Sequence, residues 1–133
     1  MDYTIDFGAE ADVVVTTSGR VDPAGIRRFL NEVVSDERFR SGSSLLNDHS
    51  ALDFSGLTPA DVRDISDLFS RLDEQHGFGP IAVVVPSPSA FGLARMGQTL
   101  VRTDVLGRIF YSREAAIEWL GEIASGGDHQ LDD

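Results

Sequence analysis

Lysine and cysteine are both missing from this chain of 133 residues. Without a thiol there is no disulfide, no thiolate nucleophile and no zinc site built on sulfur. Without lysine, all 11 cationic side chains are arginine, set against 22 Asp and Glu for a formal charge of −11. Nucleic-acid binding needs a clustered basic face to neutralise phosphates, so this balance argues against a nucleic-acid partner. The same field repels an anionic membrane surface. No run approaches the ~18 apolar residues that a membrane-spanning helix needs. The opening Met1-Asp2-Tyr3-Thr4 has neither the basic nor the apolar segment of a secretion signal, and a cytoplasmic location is expected. The three histidines, His49, His76 and His129, show no HxxxH or HxH spacing, so neither a metal nor another cofactor is expected.

What is present is an ordinary globular composition, 41% hydrophobic and 25% charged, which at this length supports one core in one domain. Tyr3-Thr4-Ile5-Asp6-Phe7 alternates with Tyr3, Ile5 and Phe7 on one face, as a half-buried edge strand does. Such an edge offers pairing to a second copy, which makes a homodimer a candidate state. The β-branched run Val13 to Ser18 reads as an interior strand closed by Gly19. Ile26, Phe29, Leu30, Val33 and Val34 then recur at helical spacing behind an Asp22-Pro23 start. Ser44 to Asp48 reads as a short strand. Thr58-Pro59-Ala60-Asp61 announces a second helix that turns Val62, Ile65, Leu68, Phe69 and Leu72 inward and ends around Gln75.

Gly77-Phe78-Gly79-Pro80 reads as a turn, because a phosphate-cradling loop would have to follow a strand, not precede one. It leads into the continuous apolar strand Ile81 to Val85. Ser87-Pro88-Ser89 starts a third helix with Leu93, Met96, Gly97, Leu100 and Val101 inward. Its glycines, Gly92 and Gly97, cost about 1 kcal/mol each relative to alanine, so close packing against a neighbour is expected to compensate. Gly107 to Tyr111 reads as the last strand, and Ser112 caps a helix carrying Ala116, Trp119, Leu120 and Ile123. The expected fold class is therefore α/β: a single mixed, mainly parallel five-stranded sheet with four helices, in the order ββαβαβαβα. The domain is expected to span residues 1–124, and the glycine-rich, acidic stretch 125–133 to be a disordered tail.

Four segments carry a resemblance: Val13-Val14-Val15 with Gly19; Phe39-Arg40 ahead of Leu45-Leu46-Asn47-Asp48; Phe91-Gly92-Leu93-Ala94-Arg95-Met96; and Ile109-Phe110 followed by Ala115-Ala116-Ile117-Glu118-Trp119-Leu120. From about Asp12 to Ala124 the chain resembles the bacterial STAS-like proteins grouped as sporulation anti-anti-sigma-factor-like (SpoIIAA-like). The resemblance implies a sheet with four successive βα units, no metal, no enzymatic turnover, and a regulatory role exerted by binding protein partners. In one branch of that family a kinase phosphorylates a serine at the start of the second helix, within Asp-Ser-Ser-Gly. The matching stretch here is Gly56-Leu57-Thr58-Pro59, which keeps a hydroxyl at Thr58 but loses the flanking acid and glycine.

Thr58 therefore has two readings, a helix cap and a candidate phosphoacceptor; modification would add about −1.5 to −2 charges at the positive end of the second helix. The four helix starts are expected to gather along the edge where the parallel strands end, at residues 19–23, 48–59, 86–91 and 111–113, and ligands of open α/β sheets bind along that edge. Arg20, His49, Ser87, Ser89 and Arg113 form a polar set there, suited to a small anion or a peptide. His49 stands beside Asp48, but no serine elbow or paired-carboxylate motif accompanies it, so no catalytic residue is assigned. Gly92, one turn into the third helix, leaves room for another backbone or a ligand to approach, with Phe91 and Arg95 beside it. Two functions remain open. The first is a non-enzymatic regulatory or protein-interaction domain, docking a protein partner (a kinase or regulatory protein among the candidates) through the edge around Thr58 and the Ser87 to Phe91 loop. The second is a small-molecule or lipid-like ligand-binding domain, because STAS-like folds resemble the lipid-carrying CRAL-TRIO fold in plan. It predicts an apolar pocket by the third helix near Phe91, Leu93 and Met96.

Overall fold

A computed structural model describes residues 1–8 and 10–126. Strands β1 (Asp2–Phe7) and β2 (Val13–Arg20) are followed by α1 (Pro23–Ser35), β3 (Ser43–Asp53), α2 (Pro59–His76), β4 (Phe78–Val84), α3 (Pro88–Leu100), β5 (Gly107–Phe110) and α4 (Arg113–Ala124). The strands lie in the sheet in chain order, β1-β2-β3-β4-β5. β1 runs antiparallel to β2, and the other three pairings are parallel. This is the mixed, mainly parallel α/β sheet with four helices that the alternating pattern predicts. Each helix opens on a side-chain cap that satisfies an otherwise unpaired amide. Asp22 accepts from the Ala24 N–H, and the hydroxyls of Thr58, Ser87 and Ser112 accept from the N–H groups of Asp61, Ala90 and Ala115.

Strand alternation divides the core between the two faces of the sheet. Val13, Val15, Leu45 and Ile81 point to the α1 and α2 side, where they meet Phe29, Leu30, Val33 and Leu72. Val14, Leu46, Ala82 and Val84 point the other way, onto Ala116 and Leu120 of α4. Crossovers between adjacent parallel strands are right-handed, so those that step always in one direction along a sheet fall on one side of it. That places α1, α2 and α3 together and leaves the opposite face to α4.

Several boundaries differ from the sequence expectation. β3 runs on to Asp53, because the polar string Asn47-Asp48-His49-Ser50 remains in the sheet. A shift in the β2–β3 register between Thr16 and Ser18 accommodates an extra residue there. The bulge moves the inward set from odd to even numbers, so that Leu45 and Leu52 join the same core. β4 begins at Phe78, three residues before the expected start. Only Gly77 of the supposed turn is a turn residue, closing α2 at φ +75°. Gly79 is a strand residue whose backbone lies against the preceding loop, and a Cβ there would stand 2.1 Å from the Gly42 carbonyl oxygen. In α3 the expected inward residues Leu93, Met96, Gly97, Leu100 and Val101 are only half-buried, while Ala90 is buried. Ser125 and Gly126 form a turn after α4; the rest of the expected tail, 127–133, lies outside the described residues. Among the described residues no helix is long and apolar enough to cross a membrane.

Candidate functional site

A cavity of about 230 Å³ lies between the sheet and the layer of α1, α2 and α3. Protein interiors are close-packed, with few voids larger than a water molecule, so a space of this size calls for a structural cause. The cause is the seating of α3, which makes its main contacts with α2 and β5. Ser66 Oγ donates to the Gly97 carbonyl at 3.1 Å on the α2 side, and Gln98 Nε2 donates to the Gly107 carbonyl at 2.7 Å on the β5 side. The first contact brings the Gly97 backbone against α2, where a Cβ would stand at ordinary contact distance, 3.5 Å, from Ser66 Oγ and Val62 Cγ1. Held on both flanks, α3 presents Leu93, Ala94 and Gly97 to the space beneath it, with Gln98 at its mouth, and these side chains do not fill it.

The floor of the cavity is Asn47 and His49 of β3, Ile81 and Val83 of β4, and Ile109 of β5. Phe29 and Leu30 of α1 close one side, and Val62, Ile65 and Phe69 of α2 another. Val101, Thr103 and Val105, in the connection from α3 to β5, cover the end. Gln98 and Arg108 are the exposed members of the wall, so the cavity opens beside the contact between α3 and β5. Among the described residues Arg108 is the one charged member of the lining, and its guanidinium lies over the Phe110 ring, which packs against the core on the α4 side.

Besides Ser66, Gln98 and Arg108, three polar side chains interrupt this apolar surface. His49 is 8% exposed and lies against the rings of Phe29 and Phe54. Its Nδ1 and Thr17 Oγ1 are 2.7 Å apart, the one hydrogen bond of the ring among the described residues. Burial pushes the imidazole down to about 4 against the pull of the Asp48 carboxylate, so the ring is neutral at physiological pH. Asn47, also 8% exposed, has a buried Oδ1 without a hydrogen-bond partner among the described residues, and the same holds for the buried Thr103 Oγ1.

Asp48 and His49 do not form an acid/base pair, because neighbouring strand residues point to opposite faces. Asp48 Oδ1 accepts from Ser50 N–H and Oγ–H at 3.0 and 2.6 Å, and its Oδ2 accepts from Arg113 at 2.7 Å. Burial pushes the Asp48 carboxyl up, but these hydrogen bonds outweigh it and hold the group below the usual range. Arg113 also pairs with Glu10, so its guanidinium ties α4 to β3 and to the β1–β2 turn. His49 itself is not at the helix-start edge where the short β3 of the sequence reading placed it. The longer strand carries it under α1 instead.

The other expected residues are spread along that edge. Thr58 is exposed and forms a reciprocal capping box: its Oγ1 accepts from the Asp61 N–H at 3.1 Å, and Asp61 Oδ2 accepts from the Thr58 N–H at 3.0 Å. Arg20 is exposed and reaches the backbone at Gly56, near Asp53. Ser87 caps α3 with Ser89 Oγ 3.2 Å away. Phe91 stacks on Tyr111 at 5.3 Å and contributes nothing to the cavity lining, and neither does Met96; Leu93 does. Arg95 is exposed on α3, and the position of a Cβ at Gly92 is open. The structure thus brings His49 together with Asn47 and Thr103, which the sequence reading did not single out. Asn47 had a signal, a polar residue in phase with the buried Leu45; Thr103, in an irregular connection, had none. Among the described residues no group of three or more His, Cys, Asp or Glu is placed to hold a metal ion. No protein-family model matches the chain, and a search of curated protein sequences returned no match.

Proposed function

We propose that this chain is a non-enzymatic recognition domain of STAS-like type that binds a small, largely apolar molecule in the cavity beneath α3. The observation that carries this reading is the cavity itself, about 230 Å³ and lined mainly by aliphatic and aromatic side chains, opening beside Gln98. Small-molecule sites are concave, mainly apolar and fitted with a few polar groups, and this one has that character. The four successive βα units favour the STAS-like assignment. A hydroxyl nucleophile is activated by a base that a third group in turn orients. Here the His49 hydrogen bond goes to Thr17 and the Asp48 carboxylate turns away to Arg113, which favours binding over turnover.

Docking of a protein partner at the helix-start edge is the second reading, favoured by the exposed Tyr111 stacked on Phe91 beside the cap of α3. Ligand-observed NMR with a panel of small aromatic and aliphatic molecules separates the two. Binders of the native chain are expected to be lost in Ala94→Leu, which fills the space under α3 and leaves the outer edge unchanged. An absence of binders, or binding indifferent to Ala94→Leu, refutes the cavity reading. A protein partner retained equally by both forms would favour the edge.

A further inference from the structure

The chemical class of the ligand follows from what the cavity wall offers and what it leaves unpaired; this inference rests on the cavity reading above. A cavity of about 150 Å³ lined by aliphatic and aromatic residues accepts benzene. One of about 230 Å³ accommodates a substituted ring or two small fused rings. Charge is excluded next. Among the described residues no carboxylate lines the space, His49 is neutral, and the one cation of the wall, Arg108, pairs with Ala82 and shares with Phe110 the face of β5 turned to α4, away from the space. An ionised ligand would enter a low-dielectric site without a counter-charge, which costs several kcal/mol.

The ligand is not a hydrocarbon either. The Asn47 side chain is more than nine-tenths buried and makes no hydrogen bond among the described residues, and its Oδ1 is closed off from solvent. An unsatisfied buried amide costs about 1–3 kcal/mol, whereas an aliphatic residue of the same shape in its place would be nearly neutral or stabilising. Nδ2 is the carboxamide atom that keeps accessible surface, and its N–H calls for an acceptor, which a hydroxyl or an amide supplies. The His49 Nε2 position, without a partner among the described residues, adds hydrogen-bonding capacity beside it. His49 lies two residues beyond Asn47 on the same face of β3, which puts the two Cα atoms roughly 7 Å apart, about the span of one ring with its substituent.

We propose that the cavity holds a neutral molecule of one or two fused rings whose hydroxyl or amide group hydrogen-bonds to the Asn47 carboxamide. The probes p-cresol and p-xylene are nearly identical in shape and differ in the hydroxyl, so their relative affinity for the full chain reads that bond directly. Titration calorimetry or ligand-observed NMR on the native protein and on Asn47→Leu gives the ratio of the p-xylene Kd to the p-cresol Kd. The ratio is expected to fall by about tenfold in the variant, the equivalent of one hydrogen bond of about 1.4 kcal/mol. Comparing the two proteins cancels the different hydration of the two probes. Should Asn47→Leu lack the native circular dichroism spectrum, Asn47→Val is read in the same way. Binding of both probes with an unchanged ratio overturns the ligand class and leaves the cavity reading standing. Binding of neither probe overturns both.

Discussion

The two faces of the sheet are built from the same strands and finished differently. On the α4 face, Val14, Leu46, Ala82 and Val84 are buried under Ala116 and Leu120. On the other face the core beside α1 is equally dry, but toward β5 the packing thins, and the inward residues of α3 remain half-buried over a cavity. One short helix with small and branched residues closes its side more completely than the outermost of three helices closes the other. The contrast locates the two tasks of the fold: cohesion on the α4 face, and an accessible interior on the opposite one.

That contrast can be broken by comparing equal truncations. Leu46→Ala removes a fully buried side chain from the closed face and is expected to cost about 3–4 kcal/mol in urea unfolding. Leu93→Ala, already half-exposed beside the cavity, should cost about 1 kcal/mol or less. Equal losses would mean that the two faces are packed alike.

Acid titration sharpens the comparison, because His49 lines the open face yet behaves as a buried group. The unfolded chain takes up a proton on this residue near pH 6.5 and the native one only near 4. Between those values the unfolded state binds more protons, so stability rises with pH across the window and is lost as pH falls through it. The full loss is about 3 kcal/mol. His49→Gln should flatten this limb in urea titrations between pH 4 and 7. The Asp48 carboxyl, depressed in the native state, adds its own loss at lower pH, as acid protonates it and removes its attraction for Arg113. A slope unchanged by His49→Gln would show that solvent reaches the ring.

The smallest effect is a gain. Gly97→Ala adds a methyl at ordinary contact distance from Ser66 and Val62 and should raise stability by up to about 1 kcal/mol through helix propensity. Ala82→Val, the corresponding enlargement on the closed face, should destabilise. The same sign at both positions would erase the distinction between the faces.

The architecture was legible in the sequence to the extent that period and caps determined it. Asp22, Thr58, Ser87 and Ser112 all stand where caps were expected, and the Tyr3-Ile5-Phe7 face is the half-buried one. What escaped has physical causes. The bulge in β3 breaks the period of two at the point where polar residues already resemble a loop, so the strand seemed to end at Asp48. Gly79-Pro80 has the composition of a turn, but it occupies an irregular stretch of the β3–β4 pairing, ahead of the first β4–β5 pair at Ile81, where proline is tolerated. The site was less legible still. A cavity is a deficit of volume shared between Ala94 and Gly97 of α3 and Gly107 of β5, and no local pattern announces it. In the sequence His49 stands out through its neighbour Asp48, which lies across the sheet, while its companions Thr17 and Asn47 read as ordinary strand residues.

A sheet whose spatial order equals its chain order also suits synthesis from one end. Each strand after β1 finds its partner already outside the ribosome, and no gap has to be held open for a later arrival. The exception is α4, which emerges after all five strands yet alone shields Val14, Leu46, Ala82 and Val84. A chain that has emerged from the ribosome only as far as Ser112 would therefore display the cavity on one side and a greasy, unprotected sheet on the other, a form exposed to aggregation and to capture by chaperones.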